Sequence, residues 1–540
     1  MVRHSNASEL WKNLDWKKLQ KEVFRLQCRI YKAMRANDKR KVVSLQKLLL
    51  KSKAARLIAI RQVTQLNQGK RTAGVNGRKN LDFSERLELE ETLRKHFSNW
   101  KHSDLREIPI PKKDGTMRLL KVPTIEDRAW QCLAKLAIEP AHEATFREKS
   151  YGFRPGKSTH DAQHMVNHSL SSRNSGINKM VIELDIEKCF DRLDHNVIMN
   201  QVIAPRGIQT GIYRCLKSGT NPGYSNSGTP QGGVISPLLA NIALNGIEDI
   251  CKYHGGKFRG KRKRITPKTP MEGTVNPIIR YADDMVVILP PDIDPQGELD
   301  KIAIFLAKRG LQVSAKKTKI TKSTDGFDFL GWNFKVRPSG KVISTPSKNN
   351  YEAVKKKIKN IVQNSQLGAK EKARLIAPIV RGWRNYHRHC IMTGMNHRLW
   401  GIEHSTWKKF RKEKTATMES TTKLIETAFP KVPVKFFGHK LVKGSKSPFD
   451  GDIVYWSKRQ SNNYDNETGK ALRKQAFTCG LCNLGFVSEE RIHLHHADGN
   501  HDNWKKDNLL AVHESCHKIH HMGKRSSGAG CTETGTSRSN

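Results

Sequence analysis

Ile278-Ile279-Arg280-Tyr281-Ala282-Asp283-Asp284-Met285-Val286-Val287-Ile288-Leu289 sets an acidic pair between two short apolar runs. The runs read as strands, so the pair falls in a tight hairpin turn. Such a turn confines two carboxylates in a small volume, where each raises the cost of charging the other, and a bound divalent cation removes that cost. An Asp-Asp pair standing alone would be a solvated surface turn. This one has company upstream in Met180-Val181-Ile182-Glu183-Leu184-Asp185, a short buried strand with Asp185 at its carboxyl end. If that strand lies beside the hairpin, Asp185 and Asp283 can hold two Mg²⁺ ions at the spacing in-line phosphoryl transfer requires. Glu183, Glu187 and Asp191 compete for the role. Strand alternation puts Glu183 on the face of Asp185 but deeper, where we read it as structural.

From about Leu66 to Arg388 the order of motifs resembles a reverse transcriptase, specifically the protein encoded within group II introns. Gln65-Leu66-Asn67 with Thr72-Ala73-Gly74-Val75-Asn76-Gly77 is similar to the amino-terminal motif of non-retroviral enzymes. Ile110-Pro111-Lys112-Lys113-Asp114-Gly115 and Arg118-Leu119-Leu120 resemble the fingers hairpin, followed by Ser150-Tyr151-Gly152-Phe153-Arg154-Pro155-Gly156. Gly228-Thr229-Pro230-Gln231-Gly232-Gly233 precedes the Tyr-Ala-Asp-Asp turn, and Phe329-Leu330-Gly331-Trp332 closes the palm. The resemblance implies a right-hand polymerase fold, with fingers and an antiparallel palm sheet, in a multidomain α+β chain. It also implies Mg²⁺ at Asp185, Asp283 and Asp284.

Lys112 and Arg118 flank a turn at Asp114-Gly115, so two cations can close over a triphosphate. Gly232 and Gly233 let backbone approach a nucleotide closely. By resemblance, Gln231 lies against the nascent base pair, Phe190 forms a plate beneath the sugar that favours deoxynucleotides, and Arg154 is counted with the substrate-binding residues. Lys317 matches a position from which a lysine protonates pyrophosphate, with Lys316 beside it as the competing choice.

The carboxyl-terminal end carries a second chemistry. Cys479-Gly480-Leu481-Cys482 and His513-Glu514-Ser515-Cys516 have the spacing of a tetrahedral structural zinc site. With His495-His496 and Asn508 between the pairs, the region resembles an HNH nuclease of the ββα-metal type. That resemblance implies a divalent metal, Mg²⁺ by expectation, on His495 and His517, with His496 as the general base and Asn508 orienting it or fixing the loop. His521 is left open as a further or alternative ligand, and a zinc knuckle that only binds nucleic acid is the alternative reading of the whole motif.

Composition agrees with a polyanionic partner. Lys and Arg number 97 against 51 Asp and Glu, a net charge of +46, far beyond what solubility requires. A ribosomal protein would show the same charge without the carboxylate and histidine sets. Of ten cysteines, seven show no paired framework, which suits a reducing compartment, and no apolar run is long enough to span a membrane. A cytoplasmic, bacterial location is expected, and an organelle-encoded copy would look similar. Lys261-Arg262-Lys263-Arg264 reads as an RNA-contacting loop.

These signals divide the chain into a helical, RNA-binding extension (1–65), fingers and palm (66–335), and an α-helical thumb or maturase domain (336–429). A basic DNA-binding region (430–475), an HNH unit (476–525) and a disordered tail (526–540) follow. Trp383 and Tyr386 are expected in the thumb core, and Arg384 and Arg388 on RNA. The expected protein binds group II intron RNA as a ribonucleoprotein with the lariat, cuts target DNA, and copies RNA from dNTPs. Two rivals stand beside it: an RNA-binding splicing cofactor whose polymerase is unused, and a reverse transcriptase of a defence or diversity-generating element. A dimer is left open.

Overall fold

The structure is a computed structural model describing residues 2–521 apart from 68, 70–71, 112–114, 116, 219–225, 255–273, 392–398, 413–416, 433–437, 462–465, 484–485, 487–491, 501–502, 515 and 518–519. Lys112, the Lys261–Arg264 cluster and the tail from 526 therefore lie outside the described residues.

Where the sequence shows a long apolar stripe, the chain breaks into α1 (Val2–Lys12), α2 (Trp16–Arg35), α3 (Lys39–Lys51) and α4 (Lys53–Arg61). The breaks have local causes: Asp15 and Asp38 each accept a hydrogen bond from a backbone N–H three residues on, which caps the next helix. Trp11, Val23, Ile30, Leu49 and Leu50 are buried on the shared face. A capping box of Asp82 and Glu85 starts α5 (Phe83–His96). The fingers hairpin follows as β1 (Arg106–Pro111) and β2 (Met117–Val122), then α6 (Ile125–Glu143), whose Trp130, Ile138 and Ala141 join the same core.

The palm begins with α7 (Thr159–Ser169) and β3 (Met180–Leu184). Three helices come next: α8 (Cys189–Arg192), α9 (His195–Gln201) and α10 (Arg206–Ser218). After them stand α11 (Ser236–Leu244) and the short pair β4 (Tyr253–His254) and β5 (Thr274–Val275). β6 (Ile278–Tyr281) and β7 (Asp284–Leu289) form the expected hairpin, with Tyr281 paired to Asp284. After α12 (Pro295–Ala307), β8 (Lys319–Lys322) completes an antiparallel sheet of order β6-β7-β3-β8. β3 lies between β7 and β8, and its Val181, Ile182 and Leu184 are buried on the two faces of the sheet.

A second antiparallel sheet, β9 (Phe327–Phe329), β10 (Trp332–Val336) and β11 (Val342–Pro346), carries the chain into the thumb. The described residues of the thumb form α13 (Lys348–Gln363), α14 (Ala369–Tyr386), α15 (Trp400–Phe410) and α16 (Met418–Ala428). Trp383 is buried and donates to Asn350 Oδ1 at 2.8 Å, while Tyr386 stacks on Trp332 with ring centres 4.5 Å apart, so both are packing residues as expected. Arg384 departs from expectation. Its guanidinium donates to the carbonyls of Phe429 (2.8 Å) and Pro430 (3.0 Å) and faces Glu403, tying off the end of α16 rather than offering itself to RNA.

The stretch 430–475 also differs from a loose basic linker. Its described residues include α17 (Ile453–Ser461) and α18 (Asn466–Lys474). Trp456 is fully buried against Gly156, where a Cβ would meet its ring at 2.5 Å. Arg459 grips the buried Asp161 carboxylate with a bidentate pair and donates to the Gly156 carbonyl, and His439 adds a bond to Asp161 at 3.0 Å. Tyr31 donates to the Ser445 carbonyl. The segment is a strap bound to the palm and α2. Periodicity could not show this, because its anchors are single residues spaced irregularly along the chain.

β12 (Ile492–His496) and β13 (Leu509–His513) pair antiparallel, and the described residues from 514 to 521 are helical. Ala471 and Leu472 of α18 pack into this unit's core with Phe486 and Val512.

Candidate functional site

The palm sheet brings the three carboxylates together. β3 pairs with β7 through Leu184 and Met285, and one step further along that register Asp185 faces Asp284. Ala282, at φ +59°, lets the chain reverse in two residues and places Asp283 at the tip of the turn. Burial raises the Asp283 carboxyl above its ordinary value, and the charge of Asp185 pushes it the same way. Asp284 is pushed up to about 6, first by desolvation, then by Asp283 and Asp185. Carboxyls that resist ionisation in the free protein are an energetic debt that a divalent cation would cancel. The donor set fits such an ion.

Lys317 Nζ lies 3.1 Å from Asp185 Oδ2, which separates it from Lys316 in the choice the sequence left open. Glu183 turns away and accepts from the Asp328 N–H of β9 at 3.3 Å, in line with its structural reading. Gln231 ties its loop to two elements: on β2, Lys121 N donates to its carbonyl at 2.8 Å and Arg118 Nε to its side-chain oxygen, and on α8 its amide reaches Asp191 at 3.4 Å. Gly232 is needed on the protein side: a Cβ there would meet the Lys121 carbonyl at 2.9 Å. Phe190 is half-buried on α8, and its carbonyl accepts from Thr229 N at 2.7 Å, so the 228–236 loop is stitched to the helix that bears the ring.

Arg154 requires correction. Its guanidinium makes two 2.9 Å bonds to Glu143 and further bonds to the Arg147 and Ser150 carbonyls, and it is 1% exposed. A cation fully spent inside the protein has nothing left for a nucleotide, and it holds the loop instead.

Arg280, which sequence reading passed over, does comparable work nearer the chemistry. It is fully buried, pairs with Glu248 at 2.7 Å, bonds Asn241 and Ser150, and donates to the Ala282 carbonyl at 3.1 Å. The only sequence signal was an arginine inside an otherwise apolar strand, which needs a buried partner. Asn241 donates in turn to the Gly152 carbonyl at 2.8 Å, binding the Ser150–Gly156 loop beneath the acidic turn.

In the carboxyl-terminal unit, Cys479, Cys482, His513 and Cys516 place their ligand atoms within 4.8 Å of one another. A hydrogen bond from Cys482 pulls the Cys479 thiol far down. Burial opposes charge on His513, yet its thiol partners raise it to about 10. A four-ligand set of this kind suits zinc. A second group, His495, His517 and His521, converges within the same limit, so His521 stands with His517 rather than apart from it. His496 lies on the other face of β12, with Trp504 against its ring at 5.2 Å. Asn508 fixes the intervening loop: it donates to the Asn503 carbonyl at 2.8 Å and accepts from Asp498 N at 3.0 Å.

Residues 110–334 match the reverse transcriptase (RNA-dependent DNA polymerase) family, residues 11–93 its N-terminal domain, and residues 351–422 the group II intron maturase-specific domain. The chain is 32% identical to "Maturase-like protein 1" of Euglena gracilis over 78% of its own length and 86% of that protein. The chain belongs to the group II intron reverse transcriptase and maturase family. It is also similar to "Group II intron-encoded protein LtrA" of Lactococcus lactis subsp. cremoris, at 28% identity over 51% of this chain and 54% of that one. The family carries with it a polymerase fold, a divalent metal requirement, and intron RNA and nucleotides as partners. Among the described residues no helix is long and apolar enough to cross a membrane.

Proposed function

We propose that this protein is a three-activity agent of intron homing: it assists splicing of its intron RNA, cuts one strand of a DNA target, and copies the intron from the freed 3′ end. The observation that carries the reading is the convergence of Asp185, Asp283, Asp284 and Lys317 at one end of the palm sheet, in a chain whose carboxyl-terminal Cys/His unit follows a strap bound to the same palm. Cutting supplies the primer that copying needs.

Magnesium held by Asp185, Asp283 and Asp284 would activate the primer 3′-oxygen and take up charge on the leaving pyrophosphate. Lys317, beside Asp185, supplies a proton to that leaving group. Arg118, held by Gln231, and Lys112 embrace the triphosphate, and Phe190 supports the sugar. In the carboxyl-terminal unit, His495, His517 and His521 would hold a divalent metal that polarises the scissile phosphate. His496 takes the proton from attacking water, while Asn508 keeps the loop in place. Cys479, Cys482, His513 and Cys516 close a structural zinc site.

The test separates the two activities. With target DNA and the intron ribonucleoprotein, His496→Ala should abolish the cut yet still extend a primer already annealed to RNA. A variant that cuts normally, or that loses both activities while folded, contradicts the division of labour.

A further inference from the structure

On α15 the rings of Trp400, His404 and Trp407 form one column. The planes of Trp400 and His404 are 2° from parallel with centroids 5.2 Å apart, and those of His404 and Trp407 are 4° from parallel at 6.4 Å. Their spacing along the helix puts all three on one stripe. The inner end is anchored, since Trp407 packs against the thumb core that contains Ile402 and Phe410. The outer end is open: Trp400 is 54% exposed. Holding three rings parallel costs side-chain entropy, and the arrangement leaves the exposed indole with its orientation already set. Lys408 and Arg411 continue the same stripe and are exposed, with Lys409 and Lys412 beside them.

A flat π face bordered by cations recognises an unpaired nucleobase together with its phosphate. A lipid surface would call for a cluster of apolar side chains rather than one stack with four cations at its edge. The helix also lies within residues 351–422, the stretch that matches the maturase-specific domain, which favours RNA over DNA as the strand presented.

We propose that the Trp400–His404–Trp407 column is a stacking platform for an unpaired RNA base, with Lys408 and Arg411 holding the adjoining phosphate. The proposal rests on the reading of this chain as an RNA-binding maturase and names one place where single-stranded RNA is held.

The experiment uses the full chain and three probes: an RNA hairpin with 2-aminopurine in its loop, the same hairpin in DNA, and a blunt RNA duplex. Wild type should quench the 2-aminopurine. Trp400→Ala should lose the quench and bind the RNA hairpin about tenfold more weakly, the scale of one base–aromatic stack. His404→Ala should lose part of both, Trp400→Phe should keep most of the affinity, and duplex binding should not change. The platform is refuted if a folded Trp400→Ala binds the hairpin like wild type, or if duplex affinity falls equally. Equal binding and equal loss on the DNA hairpin would refute the assignment to RNA. A wild type that binds no RNA would overturn the maturase reading itself.

Discussion

Gly152 lacks a side chain because the backbone of the acidic turn occupies the space a Cβ would need: it would stand 2.2 Å from Ala282 N and 2.8 Å from the Tyr281 carbonyl carbon. Neither neighbour can yield, since both belong to the turn that Arg280 clamps through the Ala282 carbonyl. Gly152→Ala should therefore displace Asp283 by a fraction of an ångström. Such a misplacement costs up to about 100-fold in rate. Steady-state primer extension should show that loss in kcat with thermal melting changed only modestly; unchanged kcat would mean that the loop does not position the turn. At this scale the sequence showed which residue types the fold would gather, as at Asp185, Asp283 and the clustered Cys and His residues. It was not legible where a motif residue serves packing. Arg154 and Arg280 are both arginines near the site, and only burial separates a brace from a substrate contact.

At the scale of elements, the hairpin and the β3 strand were readable because apolar runs broken by acids have few other interpretations. The helical character of the thumb was readable as well, though α16 was not singled out. The strap was not, because its hold depends on contacts between residues far apart in sequence. His160 of α7 shows how tight that contact is: its ring lies 5.1 Å from His389 and 5.7 Å from His439, and its Nε2 faces the Tyr386 carbonyl at 2.8 Å. Burial lowers the His160 imidazole to about 4, with His439 pushing the same way against the Tyr386 carbonyl. His164 is lowered as well, again chiefly by burial. The unfolded chain takes up a proton near pH 6.5 that the folded chain refuses until about 4, so this contribution is intact above pH 6.5 and erodes as pH falls through that window. For His160 alone the loss at pH 5 is about 2 kcal/mol. Melting temperature should thus drop from pH 7.5 to pH 5 in wild type and drop less in His160→Gln. Equal slopes would show that the ring is not held neutral by this packing.

At the scale of the whole molecule, a palm, a thumb and a Cys/His-rich carboxyl-terminal unit are joined by a strap whose Arg459–Asp161 and Trp456–Gly156 contacts hold it to the palm. The polymerase fold of mixed helix and sheet could be read from motifs. The packing of α18 could not be read, since that helix is amphipathic in a basic context and shows its partner only through Leu472 in the carboxyl-terminal core. A net charge of +46 spreads over the whole chain and suits RNA and DNA alike, but only the acidic crevice states what is done to them.

That crevice is the central claim, and RNA-templated primer extension by the purified protein in Mg²⁺, run beside Asp283→Ala, tests it most directly. The account predicts DNA synthesis by wild type and none by the variant, with both equally folded and both binding RNA. Extension that survives in Asp283→Ala, or a folded, RNA-binding wild type that extends nothing, would contradict it.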